Sequence, residues 1–144
     1  MWRRDAYNIS TDRSLLDFAV IHRFISRESY WGLGRSPEFV RKAMAHSALC
    51  FGVYHEHGAG RDQVGFARVV SDLTTFGYIA DVFVLRDYRG QGLGKWLLCT
   101  IMEHPELSAV TRLALFTNTP EFYSGLGFTA FEQTPANVFL TRKL

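Results

Sequence analysis

The run Tyr78-Ile-Ala-Asp-Val-Phe-Val-Leu85 passes directly into Arg86-Asp-Tyr-Arg-Gly-Gln-Gly-Leu-Gly-Lys95, and from there into Gly92 to Glu103, where Leu93, Trp96, Leu97, Thr100 and Ile101 recur on one helical face. An apolar strand, a glycine-rich turn and a helix start in immediate succession commit the chain to a sheet with a helix laid back across it. Such a junction is also suited to an anion. The helix dipole, successive main-chain N–H groups and the missing Cβ atoms at Gly90, Gly92 and Gly94 let phosphate oxygens reach the backbone. Two nucleotide motifs are excluded by counting. The glycines run GxGxG rather than GxGxxG, and Leu113 to Leu115 stand where a ribose-binding acid belongs. A P-loop needs four residues between its glycines and a Ser or Thr after Lys, whereas Gly90 to Gly94 encloses three and Trp96 follows Lys95.

Around this junction the elements alternate in type. Tyr7 to Ser10 reads as a first strand, and Asp12 as the cap of a helix carrying Leu15, Leu16, Ala19, Val20 and Phe24. Ser36-Pro37-Glu38 starts a second helix that runs to about His46. Ala48 to His55, Gln63 to Ser71 and Thr75 to Leu85 read as an antiparallel meander, with Gly58-Ala59-Gly60 as its first turn. Arg112 to Phe116 is a further strand, Thr119 to Leu126 a short helix and Asn137 to Thr141 a last strand. The fold class expected is α+β, with one domain over residues 1–144, a length at which 47% hydrophobic residues supply a sizeable core. A net charge of +2 gives no reason to expect nucleic acid. There is no apolar run of about 18 residues for a membrane span, and Met1-Trp-Arg-Arg-Asp5 does not resemble a secretory leader, so a cytoplasmic protein is expected. Cys50 and Cys99, inside apolar segments and without CxxC spacing, read as free thiols.

Arg89-x-x-Gly92-x-Gly94 after an apolar strand resembles motif A of the GCN5-related N-acetyltransferases (GNAT). The segments Leu113-Ala-Leu-Phe-Thr-Asn118 and Glu121-Phe-Tyr123-Ser-Gly-Leu-Gly127-Phe128 are similar to that family's following strand, Asn and Tyr-x-x-x-Gly-Phe. The resemblance covers about Gln63 to Phe131. It implies a mixed, mostly antiparallel central sheet with flanking helices, in which two parallel strands splay to admit the pantetheine arm of acetyl-CoA as cosubstrate, with no metal. It further implies main-chain contacts from Val82, Phe83 and Val84, a pyrophosphate site at Arg89, Gly90, Gln91, Gly92, Leu93, Gly94 and Lys95, and a cofactor-side place for Asn118. Tyr123 takes the position of the family's acid near the coenzyme sulfur. Its plain alternative is a core-packed ring.

The base is less well marked. Where some members carry Glu-Asp this chain has Ala80-Asp81, and strand alternation puts Asp81 on the face opposite Ala80. Asp81 therefore stands between two roles, a base or amine-binding acid and a structural carboxylate. The resemblance implies that the loop Ser29 to Arg35 overhangs the acceptor site, so Tyr30 and Trp31 are expected there, with Phe24, Tyr78 and Phe76 as further walls; aromatic rings suit an amine. His55 and His57 alone lack the ligands a metal site needs. The leading reading is direct acetyl transfer in a ternary complex to an amine, a small molecule being favoured over a protein lysine. The alternative is a non-catalytic acyl-CoA-binding sensor or interaction module. A homodimer is left open.

Overall fold

The computed structural model describes residues 1–144. Strands β1 (Trp2–Arg4) and β2 (Tyr7–Ser10) form an unforeseen N-terminal hairpin whose turn holds Asp5 at φ 52°, a left-handed conformation that Asp tolerates. They continue into β3 (Leu49–His57), β4 (Gly60–Ser71), β5 (Gly77–Val84) and β6 (Leu113–Ala114). The six strands lie in sequence order, antiparallel throughout except for the parallel pair β5 and β6. This is the mixed, mostly antiparallel sheet expected. The parallel pairing stops after Gly77–Leu113 and Tyr78–Ala114, so the remainder of β5 has no neighbour on that side.

Helix boundaries moved where two caps competed. Asp12 was expected to start the first helix, but its carboxylate accepts the Ser14 N–H at 2.9 Å and caps only a 3-10 turn, Arg13–Leu15. Asp17 caps α1 (Phe18–Arg23) by accepting the Val20 N–H at 3.2 Å. A π-helical turn, Phe24–Glu28, follows and buries Phe24 and Ile25. Helix α2 (Pro37–Ala45) starts as the sequence suggested, with Ser36 Oγ accepting the Phe39 N–H at 3.1 Å. Helices α3 (Leu93–Met102) and α4 (Pro120–Ser124) complete the set. The strand expected at Asn137 to Thr141 does not form. Only one bridge, Thr134–Asn137, is present, and Val138, Phe139 and Leu140 are exposed, because two-residue β6 offers no edge long enough to pair with.

Two hydrophobic layers sandwich the sheet. On one face Leu93, Leu97, Leu98 and Ile101 of α3 pack on Ile9, Phe51, Val53 and Val69; on the other Ile21, Phe24, Ile25 and Val40 pack on Cys50, Phe66 and Phe83. A bulge in β5 decides which residues reach which layer. Phe83 pairs with Phe66 and Ala80 with Arg68, so β5 places Asp81 and Val82 opposite the single Ala67, and Asp81 takes φ 54°. Simple alternation would put Ile79 and Phe83 on one face, yet they enter opposite layers. The alternation argument for Asp81 is thereby corrected. Ala80 lies across from Arg68, and the Arg68 guanidinium bonds the Asp81 carboxylate, so Ala80 and Asp81 share the face of the second layer.

Candidate active site

One half of the site is made of backbone. The Leu85 N–H donates to Val64 O, so the antiparallel ladder turns the Val84 N–H and C=O away from β4 toward the open edge. The Val84 carbonyl accepts from Arg89 Nε at 2.8 Å, which leaves the N–H facing the gap. Arg89 then leads into Gly90 and Gly92, at φ +80° and +81°, the second of them the N-cap of α3. A Cβ at Gly90 would meet nothing within 4 Å, and one at Gly92 only the Arg4 guanidinium at 3.8 Å. The N–H groups from Gly90 through Lys95 all lack a protein acceptor; the helical ladder begins with Trp96 N–H to Gly92 O. The result is an open cradle of donors at the positive end of a helix, suited to the charge and shape of a pyrophosphate. Arg4 of β1 reaches this cradle. Its Nη2 donates to Gln91 O at 3.2 Å while its guanidinium lies over Trp96, 4.8 Å from the ring centre.

Tyr123 sits in α4, half-buried between Phe122 and Phe128, whose rings meet it edge to face at 5.0 and 5.8 Å. Burial raises its pKa, and the nearby Tyr30 hydroxyl adds to the effect, so the phenol keeps its proton throughout the neutral range. Gly127, at φ +91°, turns the chain so that the Phe128 N–H reaches Tyr123 O at 3.1 Å and closes the helix. The spacing from Tyr123 to Gly127-Phe128 is therefore that of a helix stop, which fixes the tyrosine's direction.

The other half is made of side chains from several elements. Asp81, 7% exposed, accepts Trp31 Nε1 at 2.7 Å on Oδ1 and Arg68 Nε at 2.7 Å on Oδ2; Arg35 Nη1 stands 3.5 Å from Oδ1. Both oxygens are thus engaged, and the indole is held over the second layer, where Phe24 stacks on Phe83 with ring centres 4.1 Å apart. Tyr30 is exposed and meets Trp31 edge to face at 5.1 Å, and its hydroxyl accepts the Asn118 N–H at 3.1 Å. That contact ties the loop before α2 to the one between β6 and α4. Tyr78, half-buried on β5, has its pKa raised, first by burial, while Arg68, Asp81 and Arg35 all act on it. Phe76 lies outside β5, exposed.

The structure thus gathers Tyr30, Trp31, Asp81 and Asn118 into one network, and lays Arg89 to Lys95 at the end of the open edge of β5. Val82 and Val84 send their side chains into the first layer and Phe83 into the second, while their backbone borders the gap. His57 bonds Asp62 at 2.7 Å and His55 packs at a tilt against Tyr7, away from these groups. Sequence reasoning missed Arg68 and Arg4. Arg68 carried a signal: a lone charge in the apolar run Val64 to Val70, on the strand next to an equally isolated Asp81, calls for a partner. Arg4 carried none, since its contact depends on how β1 lies relative to α3.

Residues 46–130 match the family model described as an acetyltransferase (GNAT) domain. A curated Gibberella zeae protein named as an acetyltransferase is 33% identical over 116 residues, 71% of this chain. The chain spans 66% of that relative and about half the length of other curated relatives. A crystal structure from Xanthomonas campestris pv. campestris, assigned to the GNAT family, is 39% identical with a TM-score of 0.82, covering 95% of this chain and 93% of the other. A Mycobacterium tuberculosis protein crystallised with CoA shares the fold at 19% identity, with a TM-score of 0.71 over 89% of this chain and 75% of its own. No helix is long and apolar enough to cross a membrane.

Proposed function

Since this chain belongs to the GNAT acetyltransferase family, we propose that it moves the acetyl group of acetyl-CoA directly to an amine acceptor in a ternary complex. The observation that carries this reading is the continuity of the unpaired edge of β5 with the free N–H groups of Gly90 to Lys95, which together form a groove for an extended arm ending in a polyanion. Acetyl-CoA supplies the activated thioester. Val82, Phe83 and Val84 border its arm with main-chain groups, and Arg89 to Lys95, with Arg4 beside them, hold its phosphates. The Val84 N–H is placed to stabilise negative charge developing on the carbonyl oxygen.

Tyr123 holds the proton that the departing sulfur requires; its raised pKa keeps that proton in place until the bond to sulfur breaks. As the C–N bond forms and the C–S bond breaks, the amine proton leaves to water and the phenol proton passes to the thiolate. Asp81 acts here as a positioning residue. Its two oxygens accept from Trp31, Arg68 and Arg35, so its part in this reading is to fix the indole. Trp31, Tyr30 and Tyr78 wall the acceptor side, while Phe24, expected there as well, lies beneath them in the core against Phe83.

Amine-dependent release of free thiol from acetyl-CoA, across a panel of amines, tests the reading. Turnover that needs both substrates is the expected result. Tight CoA binding with no transfer to any amine would instead mark a CoA-binding module.

A further inference from the structure

We infer that the acceptor is an amine carrying its own anionic group, a carboxylate or a phosphate, within a few atoms of the nitrogen. The inference rests on the acetyl-transfer reading above. It comes from a charge imbalance at the acceptor wall, where one carboxylate, Asp81, faces two guanidinium groups, Arg35 and Arg68. Neither arginine is used up. Arg68 spends Nε on Asp81 and Nη1 on Ser47 Oγ at 3.3 Å, while its Nη2 has no protein acceptor and is not sealed from solvent. Arg35 makes only the long 3.5 Å contact with Asp81, leans its guanidinium on Phe39 at 4.9 Å, and keeps 28% of its side chain exposed. The charges acting on Tyr78 are these same three residues together with Tyr30.

An ammonium brought to this wall finds one carboxylate already shared by Trp31, Arg68 and Arg35, and a net positive charge facing it. A carboxylate or phosphate finds unspent donors on two guanidinium groups, which suit a bidentate oxyanion.

Matched acceptors test this by thiol release from acetyl-CoA. L-Phenylalanine against 2-phenylethylamine isolates the carboxylate, and O-phosphoethanolamine against ethanolamine isolates the phosphate. The anionic member of at least one pair should show a kcat/KM about tenfold or more above its partner, and the pair that does so identifies the anion. Arg35→Gln and Arg68→Gln should each reduce that ratio to about twofold or less, with CoA affinity by calorimetry confirming that the folded cofactor half remains. A preference for the uncharged-tail amines, or an anion preference that survives in both variants, overturns the inference. CoA binding without transfer to any amine overturns the acetyl-transfer reading along with it, a result distinct from transfer to the amines without an anion alone.

Discussion

The two halves of the site are built on different principles. The half we propose for the cofactor is mostly backbone, drawn from the run Val82 to Lys95 with Arg4 beside it; it offers N–H groups that a helix start and two left-handed glycines leave open. The half we propose for the acceptor is side chain, drawn from the loop before α2 and from β4 and β5, and joined by contacts such as Trp31–Asp81, with Tyr30 tying it to the backbone of Asn118 before α4. A backbone site tolerates almost any side chain that keeps the turn. A side-chain site changes character with a single substitution, so one scaffold can retain its donor while its acceptor varies.

The sharpest way to break that division is Asp81→Ala. It strands the mostly buried Arg68 and frees Trp31, and should destabilise the protein by about 3 kcal/mol. Thermal melts would show the loss, while calorimetry well below the melting temperature should find CoA affinity within about threefold of the parent; a collapse of CoA binding in folded protein would mean that the halves are one unit. Tyr123→Phe tests where they meet. Loss of the phenol proton should cut kcat about a hundredfold with CoA affinity little changed. Because the phenol pKa is raised above its ordinary value of about 10, the parent rate should fall with alkali only above that point, where the acid form is lost, and the Phe variant should lack this limb. Undiminished turnover by the Phe variant would remove Tyr123 from the chemistry.

Gly92→Val acts on the cofactor half alone. A β-branched residue at φ +81° is strained, and its side chain enters the cradle, so CoA should bind at least tenfold more weakly, about 1.4 kcal/mol, while the acceptor KM moves little. Equal CoA titration curves for folded variant and parent would displace the pyrophosphate from this loop. The smallest effect belongs to Tyr30→Phe. It removes the acceptor for the Asn118 N–H at an exposed position, and should raise the acceptor KM about two- to threefold with that for acetyl-CoA unchanged.

The same division explains what could be read from sequence. The turn Arg89 to Lys95 and the helix behind it were legible because a glycine pattern and a helix start are local properties, and the Tyr123 to Phe128 spacing is local too. The two helices before β3 were found with shifted starts, since Asp12 and Asp17 both make caps and only tertiary burial of Ile21, Phe24 and Ile25 chooses between them. Asp81 was singled out, but its direction was misread. Alternation holds only in a regular strand, and the bulge is visible only in the register of β5 against β4. Arg4 and Arg68 act at long range in the chain, and the strand expected at Asn137 had a suitable sequence but no edge to join.

The bulge at Asp81 bears on how acceptor preference can be rewritten. Ile79 faces the α3 side and Ala80 the other; passing over the extra residue, Val82, Phe83 and Val84 continue that same alternation. Asp81 is thus a supernumerary letter in an otherwise regular word. Its removal would close the strand with every neighbour still on its own side and with Ala67 opposite Val82, at the cost of the one carboxylate that restrains Arg35 and Arg68. Lengthening and shortening β5 by one residue at this point is therefore a route by which a lineage, or a designer, can switch the charge beside Arg35 and Arg68 without recasting the two layers of the core.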